Sequence, residues 1–180
     1  HADIALSDDV FAIFNNPAGL SQNNHRELGI YYSPAPFGLK ELANGYGAYK
    51  EPFSFGNLAA GFMTYGFELY RENNFLLSYS RKILERFSAG VTLQYNNLSI
   101  KNYGQDNSLL LSIGGTAAIV GNLHAGFAIS NVNRATYGSE ENQIPTEIRT
   151  GFSYIFKESA ALYAAVNKEL DMPASIRFGI

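Results

Sequence analysis

Residues 107–133 carry no Asp, Glu, Lys or Arg, and this uncharged stretch constrains the fold more than any other feature of the chain. About 20 apolar residues suffice to cross a bilayer as a helix. The window, however, holds Ser112, Thr116, Asn122, His124 and Ser130 together with Gly114, Gly115, Gly121 and Gly126, which makes a poor helix. Read with a period of two it becomes orderly. Leu109, Leu111, Ile113, Gly115, Ala117 and Ile119 share one face, with Ser112, Gly114 and Thr116 on the other. Gly121-Asn122 is a two-residue hairpin signal, after which Leu123, Ala125, Phe127 and Ile129 alternate with His124, Gly126, Ala128 and Ser130. The window is two strands and a tight turn.

The same period recurs along the chain. Over 87–100, Phe87, Ala89, Val91, Leu93 and Tyr95 oppose Ser88, Gly90, Thr92, Gln94 and Asn96; over 147–156, Ile148, Thr150, Phe152, Tyr154 and Phe156 oppose Glu147, Arg149, Gly151 and Ser153. Further strands are expected at 27–33, 44–50, 57–67, 74–81, 160–167 and 174–180, about ten in all. No amphipathic helix emerges, although 6–12 and 38–42 each suit a helical turn. Charged residues are only 16% of the chain, against roughly 25% in average soluble proteins. They crowd into short clusters: Lys50-Glu51, Arg71-Glu72, Arg81-Lys82 with Glu85-Arg86, Glu140-Glu141, Lys157-Glu158, and Lys168-Glu169 with Asp171. A net charge of −3 supplies no basic field for nucleic acid, and the absence of Cys removes disulfides and thiolate chemistry.

Alternation alone does not say what touches the apolar face, because a soluble sandwich buries the same pattern. Two features favour lipid. Several strands run to ten residues or more, the length of tilted bilayer-crossing strands, where soluble strands cluster near five or six. The connections also alternate in size: long at 34–43, short at 51–56, medium at 68–73, short at 82–86, longer at 101–107, two residues at 121–122, long at 133–146, short at 157–159. Outer-membrane barrels pair tight periplasmic turns with longer outer loops. In hydrocarbon an unpaired peptide group costs several kcal/mol, so a sheet that enters lipid must close on itself. The expected fold is an all-β, antiparallel transmembrane β-barrel at residues 27–180 in the outer membrane of a diderm bacterium, with outer-membrane lipid as its first partner.

Residues 1–26 show neither clean alternation nor a turn-bounded strand, and Asn16-Pro17 is a turn initiator. The run from Ala5 to Leu20, with Asp8-Asp9 followed by Asn15-Asn16-Pro17-Ala18-Gly19, resembles the N-terminal signature of PorV/PorQ-type barrels, relatives of the FadL transporters. The likeness continues as pattern through Glu27-Leu28-Gly29-Ile30-Tyr31-Tyr32, Gly45-Tyr46-Gly47-Ala48-Tyr49 and Phe75-Leu76-Leu77-Ser78-Tyr79-Ser80. It implies a plug-like or hatch-like segment at 1–26 and a complete barrel of about fourteen strands, of which this chain supplies about ten. Ile180 departs from the aromatic residue that commonly ends such barrels, so C-terminal strands are expected beyond it.

Two transport roles follow from the resemblance: export through type IX secretion with secretion components or cargo as partners, or FadL-like uptake of long-chain fatty acids or other small hydrophobic molecules. A soluble β-rich binding module is the third reading. The candidate site residues are Asn15, Asn16, Pro17, Ala18 and Gly19 as a hatch motif, set against a turn that merely fastens the segment. Gln94, Asn96, His124, Glu147, Arg149 and Arg177 are the expected lumen-facing polar positions. The last three suit an internal ion pair, or a substrate carboxylate in its place. His124 reads as a hydrogen-bonding wall residue, since no spacing selects a nucleophile and orienting group for it. Asp8-Asp9 suits solvation or capping better than calcium, which needs six or more oxygens. No catalysis, cofactor or metal is expected.

Overall fold

A computed structural model describes residues 4–7, 9–138, 143–157, 160–170 and 172–179. Asp8, Glu140, Glu141, Glu158, Asp171 and Ile180 lie outside the described residues. Ten strands follow one another: β1 (Glu27–Ser33), β2 (Asn44–Phe53), β3 (Gly56–Gly66), β4 (Tyr70–Leu84), β5 (Phe87–Ile100), β6 (Gly104–Val120), β7 (Leu123–Ser130), β8 (Glu147–Lys157), β9 (Ala160–Glu169) and β10 (Ser175–Gly179). Each pairs antiparallel with the next, giving one all-β meander in sequence order. Among the described residues β1 pairs only with β2 and β10 only with β9.

The strands expected over 27–33 and 87–100 coincide with β1 and β5. That expected over 74–81 is longer at both ends. The charges at Arg71, Glu72 and Lys82 read as turn residues, yet they continue the ladder, Arg71 opposite Ser99 and Lys82 opposite Ser88. The connections at 67–69 and 101–103 are three residues each, rather than the medium loop expected over 68–73 and the longer one expected over 101–107. Only 34–43 and 131–146 are long; 67–69 and 101–103 exceed the two-residue turns 54–55, 85–86 and 121–122 by a single residue, so the expected alternation of long and short survives only in part. Gly121, with φ of +50°, supplies the left-handed backbone that such a turn demands. Register shifts at 82/84, 118/120 and 155/157 fall at the two-residue-connection ends of their strand pairs, where bulges add local twist.

The two faces of the sheet are inverted relative to a water-soluble fold. Leu58, Phe62, Phe75, Leu77, Leu93, Tyr95, Leu109, Phe127, Phe152 and Leu162 share the outer face, and all are exposed, Leu77 at 64% and Phe152 at 57%. The alternate positions Asn74, Ser78, Ser80, Ser88, Thr92, Asn96, Ser108, Thr116 and Ser153 are buried.

What covers them is the chain's own N-terminal segment. It forms a single helical turn, α1 (Ala12–Asn15), and a 3-10 turn (Pro17–Ser21), so the helical turn expected over 6–12 falls later. Val10, Ala12, Ile13 and Leu20 pack with Ala48, Ala59 and Leu76, while Ile4 meets Ala128 and Ala165. The segment touches both flanks of the sheet. An ideal β-carbon on Gly151 of β8 would lie 2.3 Å from Ile4 Cγ2, and one on Gly29 of β1 would lie 2.8 Å from Val10 Cγ1. A flat sheet would separate β1 from β8 by about 34 Å. The backbone from Ile4 to Val10 spans at most about 21 Å even fully extended. The sheet therefore curls around the segment.

Candidate functional site

Above α1, the curled sheet encloses a chamber of about 270 Å³. Its floor is Ile13, Phe14, Asn15 and Pro17; Met63, Leu76 and Leu110 give it apolar walls; Asn74, Thr92, Gln94, Asn96, Ser112, Ser130 and Arg149 supply polar ones. Alternation puts them there. Leu76, Gln94 and Leu110 are register partners on β4, β5 and β6, and Asn74, Asn96 and Ser108 form the next inner row.

The polar groups are held by defined partners. Gln94 Nε2 donates to Asn96 Oδ1 at 2.7 Å, and Asn96 Nδ2 donates to the Tyr137 hydroxyl at 3.4 Å. Burial pushes the Tyr137 phenol above its ordinary value, with the Asn96 hydrogen bond opposing and the nearby Glu72 carboxylate reinforcing that shift. Arg149 Nη1 donates to Asn15 Oδ1 at 3.4 Å, and its Nε lies 3.2 Å from Glu147 Oε2 without the alignment of a hydrogen bond. Asn74 Oδ1 and Ser108 Oγ are buried with no partner among the described residues, so the row offers free capacity to water or a ligand.

Asn16 fixes the floor. It is fully buried; Nδ2 donates to the Ile4 carbonyl at 2.8 Å and to the Gly115 carbonyl at 3.3 Å, and Oδ1 accepts from the Ala18 N–H at 3.2 Å. One side chain thereby ties two parts of the N-terminal segment to β6. Pro17, Ala18 and Gly19 are buried with it, and an ideal β-carbon on Gly90 would sit 2.5 Å from the Pro17 carbonyl carbon. Glycine at that wall position lets two backbones approach closely.

Of the residues singled out in the sequence, Asn15, Pro17, Gln94, Asn96 and Arg149 therefore meet at one chamber, with Glu147 behind Arg149. His124 does not join them. It lines a separate cavity near the two-residue turns. Arg177 is exposed on β10, opposite Ala165, and makes no ion pair among the described residues.

Three features escaped the sequence reading. Lys50 is fully buried, with Nζ 3.4 Å from Glu27 Oε2 and 3.5 Å from the Asn23 carbonyl. Its inner position was legible in the alternation Tyr46, Ala48, Lys50, but Lys50-Glu51 reads first as a turn cluster. Asn131, fully buried at φ of +55°, organises the long connection by donating to the Ile144 carbonyl at 2.7 Å and accepting from the Ala135 N–H at 2.7 Å. Asn133 then completes β6 where β7 has ended. Its Nδ2 donates to the Leu109 carbonyl and its Oδ1 accepts from the Leu111 N–H, each at 2.8 Å, in the manner of a missing strand residue.

On the outer face the apolar positions end in polar rows. At one end Thr64 donates to Asn73 at 2.9 Å and Asn97 to Asn107 at 2.8 Å; at the other, Glu51 holds Arg26, with Nη2 at 2.8 Å. No helix among the described residues is long and apolar enough to cross a membrane. No protein-family model matches the chain, and no curated protein or solved structure is significantly similar to it.

Proposed function

We propose that the chain is the wall of an outer-membrane β-barrel whose lumen is occupied by its own N-terminal segment, and that this barrel serves transport across the outer membrane in the manner of PorV/PorQ-type proteins in type IX export. The observation that carries the reading is the inversion of the sheet, with large apolar side chains outward and an interior of buried Ser, Thr and Asn together with small apolar residues packed against the N-terminal segment. Along β4 the outer face runs from Asn73 through Phe75, Leu77 and Tyr79 to Arg81. The polar ends are about 27 Å of strand apart, or about 20 Å of membrane thickness at barrel tilt, a little short of the roughly 25 Å apolar band such barrels present. The edges of β1 and β10, unpaired among the described residues, would require partner strands in lipid. An occupied interior suits a protein that docks export cargo or secretion components at its mouths better than an open pore.

Uptake of small hydrophobic molecules is the second reading, favoured by the chamber itself: Phe14, Met63, Leu76 and Leu110 beside Arg149 fit an amphipathic anion. Cell fractionation with and without detergent tests the common core. The whole protein is expected in the outer-membrane fraction, released only by detergent; recovery in plain buffer, monodisperse, returns the soluble binding module. Retention of cargo in the periplasm of a deletion strain then supports export, and normal cargo release removes it.

A further inference from the structure

At the end of the sheet where the two-residue turns cluster, a second cavity of about 230 Å³ opens on the inner face. Its lining brings together Lys82, Arg86 and His124 with the hydroxyls of Ser88, Thr116 and Ser21 and the Gln22 amide; Glu85 is its single carboxylate. The arrangement is built by register. Lys82 of β4 faces Ser88 of β5, Ser88 faces Thr116 of β6, and His124 of β7 follows beside Ala118. Arg86 is set by its place in the turn, where its carbonyl accepts from the Ala118 N–H at 2.9 Å. Neither Lys82 nor Arg86 makes an ion pair among the described residues.

Ser88 and Thr116 are each 7% exposed and line the cavity, and no hydrogen bond from either hydroxyl is formed among the described residues. Each holds an O–H to donate, and the Lys82 and Arg86 side chains stand at the same cavity. That donor set matches a tetrahedral oxyanion, which takes several charge-assisted hydrogen bonds at once. We propose that this cavity binds a phosphoryl group, borne either by a lipid headgroup or by a small soluble phosphate. Because Ser21 and Gln22 close one side of it, and Gln22 Nε2 already donates to the Ala5 carbonyl at 3.2 Å, the bound anion bridges the N-terminal segment to the wall. Occupancy then stabilises the docked segment.

The test uses the whole protein purified in detergent. Inorganic phosphate is titrated by calorimetry and by ³¹P line broadening, and bound phospholipid is measured after exhaustive delipidation. Wild-type protein is expected to bind phosphate or to retain an anionic phospholipid, the two arms naming the source. The Lys82→Gln/Arg86→Gln variant, with an unchanged melting temperature, is expected to lose at least about tenfold in affinity, or the retained lipid. Should that variant misfold, Ser88→Ala with Thr116→Val carries the same expectation. Failure of wild-type protein to bind at millimolar phosphate and to hold lipid overturns the proposal, as does undiminished binding by a folded variant. Neither failure touches the barrel assignment, which fractionation decides separately.

Discussion

Asn16 and Gly114 share a space that admits only one of them beyond the backbone: a β-carbon on Gly114 would lie 2.0 Å from Asn16 Oδ1. The wall is glycine there because the segment's buried amide reaches into it. Gly114→Ala is therefore expected to destabilise the docked segment by about 1–3 kcal/mol, the usual cost of overpacking a fitted interior. Gly47→Ala, where the added carbon meets nothing within 4 Å, should stay within about 0.5 kcal/mol of wild type. Chemical denaturation of the two variants side by side checks the contrast, and equal effects would mean that the segment does not lie where the structure has it.

Replacing Asn16 separates its two roles. Asn16→Ala strands the Ile4 carbonyl and the Ala18 N–H in a dry interior. About 2–4 kcal/mol of docking energy should go with them. Asn16→Asp is expected to be worse, because it turns a carboxylate oxygen toward the Ile4 and Gly115 carbonyls that now receive a donor. Hydrogen exchange of residues 4–22 reads both, and protection in the Asp variant above that of the Ala variant would refute the assigned orientation of the amide.

Arg149 offers a direct handle on the chamber. If the chamber accepts an amphipathic carboxylate, Arg149→Ala weakens its binding about tenfold or more, and Arg149→Lys recovers part of the loss. Glu147→Gln releases the guanidinium from its neighbour at 3.2 Å and should strengthen binding. A fluorescent long-chain carboxylate provides the readout, and unchanged affinity in the Ala variant places any such ligand elsewhere.

Lys50 tests how the wall tolerates a buried charge. Lys50→Met leaves Glu27 Oε2 without the ammonium at 3.4 Å. Since Glu27 remains about a quarter exposed, the loss should fall below the roughly 3–5 kcal/mol of a fully buried pair, at about 1–3 kcal/mol. Adding Glu27→Gln should restore part of it, and a double-mutant cycle showing no coupling would contradict the pairing.

The strands were legible because alternation is a local property. Phe87 to Ile100 and Glu27 to Ser33 carry their period without reference to anything distant. Strand ends were less so, since a charge such as Arg71 or Lys82 looks the same whether it closes a turn or continues a ladder. The chamber was half legible: Gln94, Asn96 and Arg149 follow from face assignment, and Asn16 from its motif. What joins them depends on the path of the N-terminal segment, which no periodicity encodes. Lys50 and Asn133 were hidden for a related reason, because their roles depend on Glu27 and on the backbone of β6, each distant in sequence.

Contact between acyl chains and the outer face is directly measurable, because the sequence holds no native Trp. Single tryptophans placed at Leu93 and Phe152, both outward and exposed, and at Thr92, inward and 2% exposed, report their surroundings in liposomes of bromine-labelled lipid. Strong quenching at 93 and 152 with little at 92 is the predicted result; equal quenching at all three, or none at 93 and 152, contradicts a lipid-facing outer surface.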